Sequence, residues 1–291
     1  MRPSDVRGTL CAVTILLMLI SSTMLALVPV TEAEARSSHS GGSNVEQFGS
    51  GFDETVIADA SDSLNVPRDL EFHPNPSRAG ELWVINRATD SMTIIFDAGE
   101  ASQSSTNRKD AHANHFMAEP SAFAFGQSHA EFDYIFSSAQ ESRNGGNNFM
   151  GPALWPSSLS HFAVENQQSG GRLGSHLDML HESPNGMGIA HDSGNAYWYN
   201  DGHYGELVYY DFQSDHDTGG EDHADGIVRR YTEVSLNRQA WVPGHMILDK
   251  STAKLYIANT GPGNILWVDT DSADGFTPTI DGQMDEELEE Y

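Results

Sequence analysis

The sequence predicts an all-β protein, a β-propeller of four-stranded antiparallel blades, and three observations carry that expectation. One pattern occurs four times, beginning at Pro67, Pro120, Pro184 and Pro243, with successive starts 53, 64 and 59 residues apart. The apolar runs inside each copy are short and rich in branched and aromatic residues, as strands packed between neighbouring sheets require. Helical spacing of apolar residues is nowhere sustained. Repeats of this period made of strands and turns bury their faces only by stacking on one another, which is the propeller solution.

Each copy supplies its elements in the same order. The first, "VPRDLEFHPNPSRAGELWVINRATDSMTIIFDAG", runs from Pro67 through Asn86 to Asp97, with a strand expected at Leu82 to Ile85. The second, "EPSAFAFGQSHAEFDYIFSSAQES", is degenerate and places Ser137 at the position held by Asn86. The third, "SPNGMGIAHDSGNAYWYNDGHYGELVYYDF", has Asp201 at that position and Asp211 at the end, around a strand at Tyr197 to Tyr199. The fourth, "VPGHMILDKSTAKLYIANTGPGNILWVDT", has Asn259 and Asp269 around a strand at Leu255 to Ala258. The turns Asn-Asp-Gly at 200 to 202 and Asn-Thr-Gly-Pro-Gly-Asn at 259 to 264 supply the positive φ angles that hairpins need.

This order of proline, apolar strand, turn, aromatic-x-x-Asn/Asp, glycine turn and apolar-x-x-Asp resembles the NHL-type propeller repeat over about residues 60 to 271. The resemblance implies a six-bladed ring, of which four repeats are visible here, either as a smaller ring or as part of the larger one. Propeller is expected over 53–275. Residues 276–291, "TPTIDGQMDEELEEY" and the residue before it, read as an acidic tail or the start of a further blade. Residues 98 to 115 and 139 to 175 read as long polar inserts on one rim.

The chain opens with Arg2 and Arg7, an apolar stretch from Leu10 to Val30, and the small-x-small site Ala33-Glu34-Ala35, so 1–35 reads as a secretory signal peptide. An uncleaved stretch of this length would also cross a bilayer, since about 20 apolar residues suffice; membrane association is expected only in that case. Residues 36–52 have the composition of a disordered linker. A secreted protein, extracellular or periplasmic, is therefore expected. Its only cysteine, Cys11, lies in the leader, so the remainder is held by its core without disulfides.

Lys and Arg number 15 against 42 Asp and Glu, a formal charge of −27. That balance argues against nucleic acid or anionic lipid as a partner and leaves an extracellular ligand or protein.

The residue two after each repeat proline should open the innermost strand at the mouth of the channel. These are Asp69, Ala122, Gly186 and His245, of which Asp69 and His245 could hold a metal or a proton. Seven of the 13 histidines fall between 176 and 245. Among them His176 and His181, with Asp178 between, stand just before an inner strand and could share a Zn²⁺ site with His245. In "DFQSDHDTGGEDHADG", the oxygens of Asp215, Asp217, Gly219 and Glu221 alternate, with Asp225 following, as the many-oxygen shell of Ca²⁺ would require. Solvated acidic loops and structurally bonded histidines give the same patterns.

Two further resemblances concern enzymes. "SPNGMGIAHD" resembles the Asn-Gly strand of gluconolactonase-type calcium-dependent propellers, which implies Asn185 as a metal ligand, although the matching slots elsewhere hold Arg68, Ser121 and Gly244. "VPGHMILD" resembles a histidine-bearing strand of peptide amidating lyase propellers. No Gly-x-Ser-x-Gly elbow, phosphate loop or cysteine nucleophile occurs. The expected function is thus an acidic propeller that binds through one rim with a divalent metal, the alternative being a metal-dependent propeller enzyme.

Overall fold

A computed structural model of the chain describes residues 55–143, 149–220 and 222–272 with their side chains, and the backbone of strands at 279–281 and 287–290. The leader and linker, 1–35 and 36–52, lie outside the described residues, as does Glu221. No helix among the described residues is long and apolar enough to cross a membrane.

Four sheets follow one another along the chain. The first is β1 (Pro67–Phe72), β2 (Leu82–Asn86), β3 (Ser91–Phe96) and β4 (Ser104–Arg108), in that order and antiparallel throughout. After a short helix, α1 (Ala113–Phe116), the second is β5 (Pro120–His129), β6 (Asp133–Gln140), β7 (Ala153–Pro156) and β8 (Asp178–Met179). The third is β9 (Gly186–His191), β10 (Ala196–Asp201), β11 (Glu206–Asp211) and β12 (Ile227–Tyr231). The fourth has three strands, β13 (Met246–Asp249), β14 (Lys254–Asn259) and β15 (Asn264–Asp269). The chain then returns to the third sheet, where β16 (Thr279–Asp281) pairs with β17 (Glu287–Glu290), and β17 runs parallel to β12.

The strand periodicity explains the packing. Odd residues of β2, Trp83 and Ile85, join Phe123, Phe125, Phe136 and Trp155 in a core between the first and second sheets. A second core unites Ile135 and Leu154 with Ile189, Tyr197, Tyr199 and Tyr210 between the second and third. A third sets Trp198 and Leu207 against Met246, Leu255 and Ile257 between the third and fourth. The innermost strands β1, β5, β9 and β13 pack against one another in sequence, and all four line one cavity of about 410 Å³, the axial channel. Where β9 meets the approach to β13, Gly188 has no room for a Cβ, which would strike the Gly244 carbonyl, and Gly244 N–H donates to Met187 O at 2.8 Å.

The Asn of the repeat has a mechanical task. Asn86 Oδ1 accepts the Asn65 N–H at 2.9 Å, and Asn259 Oδ1 accepts the Asn237 N–H at 2.7 Å. Each ties the end of a second strand to the chain entering that sheet's first strand. In the second sheet the register differs from the sequence alignment: Gln140, and not Ser137, stands opposite Pro120, because β5 and β6 form a longer hairpin, of ten and eight residues, with bulges between Pro120 and Ala122 and between Phe125 and Ser128. The inserts also differ from expectation, since β4 and β7 run through them.

No core cluster joins the fourth sheet to the first among the described residues. Leu70 and Phe72 on β1, and Ile247, Ile265 and Trp267 on the fourth sheet, are exposed. The two ends of the arc meet through polar contacts. His245 Nε2 lies 3.1 Å from Arg68 O, and Arg68 Nη1 donates to Trp241 O at 2.5 Å.

Candidate metal centre

β8 is two residues long and forms the outer edge of the second sheet, with Leu154 opposite Asp178 and Ala153 opposite Met179. Alternation turns Met179 into the first core and Asp178 to the other face, toward the third sheet, where Leu154 also points. There the loop between β11 and β12 folds back over it, anchored by His216 N–H to Leu177 O at 3.3 Å and Gly219 N–H to His176 O at 2.7 Å.

The loop brings two ligand-bearing side chains to the fully buried Asp178. His216 Nε2 lies 3.7 Å from Asp178 Oδ2 and 3.4 Å from Asp225 Oδ1. One donor atom from each of the three falls within 4.8 Å of the others. The two oxygens of Asp178 differ in circumstance. Oδ1 accepts from His223 Nδ1–H and from the Met179 N–H, both at 2.6 Å, whereas Oδ2 is buried with no hydrogen-bond partner among the described residues, as is His216 Nε2. Burial pushes the Asp178 carboxyl up from its ordinary range, against the opposing pull of His223 and His216. An orphaned carboxylate oxygen facing an imidazole nitrogen and a second carboxylate is costly without a cation among them. Four-coordinate zinc, with bonds of about 2.0–2.1 Å, spaces its ligand atoms about 3.3 Å apart, close to the separations here.

The other sequence-derived residues are distributed as follows. His176 is buried, its Nδ1 2.7 Å from Leu173 O and its ring stacked on Phe116 at 3.5 Å, and burial holds its pKa down to about 4. The His181 ring packs on Phe149 and edge-on to His223, with centroids 5.4 Å apart. Asp215 faces His129 at 3.6 Å, and Asp217 pairs with Arg172 at 2.7 Å. The Gly219 carbonyl accepts from Leu173 N. Of the acidic loop's described carboxylates, Asp225 alone joins the cluster.

His245 sits in the channel, and its described polar partners are Asp69 and Arg68; His176 and His181 are not among them. Its Nδ1 is 3.4 Å from Asp69 Oδ2. Burial works against the imidazolium, but the hydrogen bond and charge of Asp69 outweigh it and raise the pKa. Asp69 Oδ2 and Glu71 Oε2 also accept the Phe123 and Phe125 N–H groups, at 3.1 and 2.9 Å, so these carboxylates stitch the first sheet to the second. Asn185 lines a separate cavity at one axial end, with φ of 58°.

His216 and His223 were legible only as members of the histidine-rich stretch. The available signal for His216 was its place between Asp215 and Asp217, which drew attention to the flanking carboxylates instead.

No protein-family model and no curated protein sequence matches the chain. Among solved structures it has a distant similarity to an auxiliary nutrient binding protein of Bacteroides ovatus, at 14% identity and a TM-score of 0.44, covering 70% of this chain and 38% of that one. It is also similar to virginiamycin B lyase of Staphylococcus aureus, at 9% identity and TM-score 0.37, covering 76% and 61% respectively. A third is regucalcin, a calcium-binding protein of Agrobacterium tumefaciens, at 13% identity and TM-score 0.34, covering 76% and 80%. The chain thus spans 38% of the length of the first and 61% of the second.

Proposed function

We propose that the protein is a secreted β-propeller that serves as a binding module and carries a divalent ion at Asp178, His216 and Asp225. The observation that supports this reading is the buried, unpartnered Asp178 Oδ2 turned toward His216 Nε2 and Asp225 Oδ1. One imidazole and two carboxylates suit Zn²⁺ or a similar borderline ion better than Ca²⁺, which takes six to eight oxygens. His223 fixes the carboxylate through its other oxygen, as outer-shell partners of metal ligands do. Titration of chelator-treated protein with Zn²⁺ and Ca²⁺ tests the reading. Single-site Zn²⁺ binding that is lost in His216→Ala supports it; equal affinity in parent and variant refutes it.

A second reading has its own observation. Three protein ligands would leave one coordination position of a tetrahedral ion open, and of the three side chains Asp225, 39% exposed, is the one most open to solvent. That arrangement suits a metal-dependent hydrolase. Zn²⁺-dependent turnover of a lactone or ester panel, lost in His216→Ala, would favour the enzyme.

A further inference from the structure

At one axial end, the segments that leave β2 and β6 and those that enter β5, β9 and β13 enclose a cavity of about 310 Å³. Three arginines line it, Arg87, Arg143 and Arg238, against two glutamates, Glu119 and Glu141. In a chain with 15 basic and 42 acidic residues, guanidinium groups outnumber carboxylates here.

The arginines are held in place. Glu141, whose side chain is 5% exposed, accepts from Arg87 Nε at 3.1 Å through one oxygen and from Arg238 Nη1 at 3.0 Å through the other. Arg87 Nη2 also bonds Glu119 at 2.7 Å. Arg238 is bonded through Nη1 alone among the described residues, so its Nε and Nη2 remain for a ligand. A guanidinium anchored on one side and free on the other is preorganised to take an oxyanion in fork geometry.

Trp241 stands beside them in an unusual state. Its φ is +69°, a left-handed backbone that a bulky aromatic residue rarely adopts. Its N–H contacts Glu141 Oε1 at 3.3 Å and its carbonyl accepts from Arg68 Nη1 at 2.5 Å, so the strained peptide is pinned from both sides. Yet the residue is 64% exposed, with the Arg87 guanidinium 4.6 Å from the ring centroid. Backbone strain spent on an aromatic ring that gains little burial points to a ligand for that ring. An indole face favours partly positive C–H groups such as those on one face of a pyranose.

We propose that this rim binds an acidic sugar unit, a hexuronate or a sulfated hexose, with the ring on Trp241 and the anionic group on Arg238. It rests on the reading of the protein as a binding module and is independent of the metal, whose ligands are elsewhere.

The test is calorimetric titration of the mature chain, with chelator present, using oligogalacturonate, a sulfated oligosaccharide, a neutral cello-oligosaccharide and inorganic sulfate. The expected result is saturable, salt-sensitive binding of an acidic oligosaccharide, weakened about tenfold or more by Arg238→Gln and by Trp241→Ala, a loss of about 1.4 kcal/mol or more each. Arg229→Gln, on the third sheet away from this cavity, should leave it unchanged. Melting curves would show that the variants are folded. The proposal is overturned if neither acidic oligosaccharide binds, if both variants bind like the parent, or if inorganic sulfate and the neutral sugar match the acidic sugar. Because chelator is present throughout, loss of the metal reading would not affect the outcome.

Discussion

His223 Nδ1 lies 2.6 Å from Asp178 Oδ1, the carboxylate oxygen that does not face His216. The bond occupies one side of the carboxylate and leaves the other aimed at the loop. His223 therefore acts on the candidate metal centre through Asp178 and is a positioning residue.

His223→Ala should weaken Zn²⁺ binding about 10–100-fold, the range seen when outer-shell partners are removed. With Co²⁺ in place of Zn²⁺, the visible absorption band should keep its shape, because the ligand set is unchanged. A lost band would make His223 a ligand itself.

Asp215→Ala and Asp217→Ala should each leave Zn²⁺ affinity within about twofold of the parent. Their carboxylates are engaged by His129 and Arg172, and neither belongs to the group formed by Asp178, His216 and Asp225. A strong loss in either variant would place the metal within the acidic loop.

Glu71 is open to solvent within the channel but ringed by protein. Desolvation by the strands around it, with the nearby charge of Asp69, pushes its pKa from 4.5 up to about 7 against the Phe125 hydrogen bond. The raised folded-state value means that the folded chain holds this proton more tightly than the unfolded chain. The resulting stability is present in full below about pH 4.5 and is lost as pH rises to about 7. Glu71→Gln should therefore gain in melting temperature relative to the parent between pH 4.5 and pH 8. A constant difference between the two proteins across that range would contradict the assignment.

Asn86→Ala and Asn259→Ala should each destabilise by about 1–3 kcal/mol, since each leaves a loop N–H without its acceptor. Urea unfolding of the two variants measures this. Effects below about 0.5 kcal/mol, the usual size for surface positions, would deny the anchoring task.

Much of the architecture was legible because the repeat is written in strand and turn chemistry. Proline, an apolar run, Asn or Asp, and a glycine turn recur at nearly fixed spacing, and the second and third strands follow from them. The outer strands were not legible. β4 reads Ser-Ser-Thr-Asn-Arg, and β8 has two residues, so neither carries an apolar alternation. The longer hairpin of β5 and β6, with its two bulges, placed Gln140 rather than Ser137 at the end of the second repeat's second strand. For the metal centre, the residue types were visible but their grouping was not. Asp178 belongs to the outer strand of the second sheet and Asp225 to a loop of the third, and the fold-back of the β11–β12 loop joins them. His245 belongs to the same histidine-rich stretch yet stands immediately before the inner strand of the fourth sheet.

Among the described residues the fourth sheet shares a core with the third alone, while the second and third sheets are each packed on both faces. Such an arc need not open everywhere at once. Its amide protons should exchange in tiers, with β14 and β15 released by a local opening that costs far less than global unfolding, and β6 and β10 exchanging only when the whole chain unravels. The fourth sheet also carries His245 into the channel and Trp241 onto the rim cavity. A ligand seated at either place would clamp the loosest part of the molecule, so occupancy should be readable as slowed exchange in β14 even where no contact reaches it.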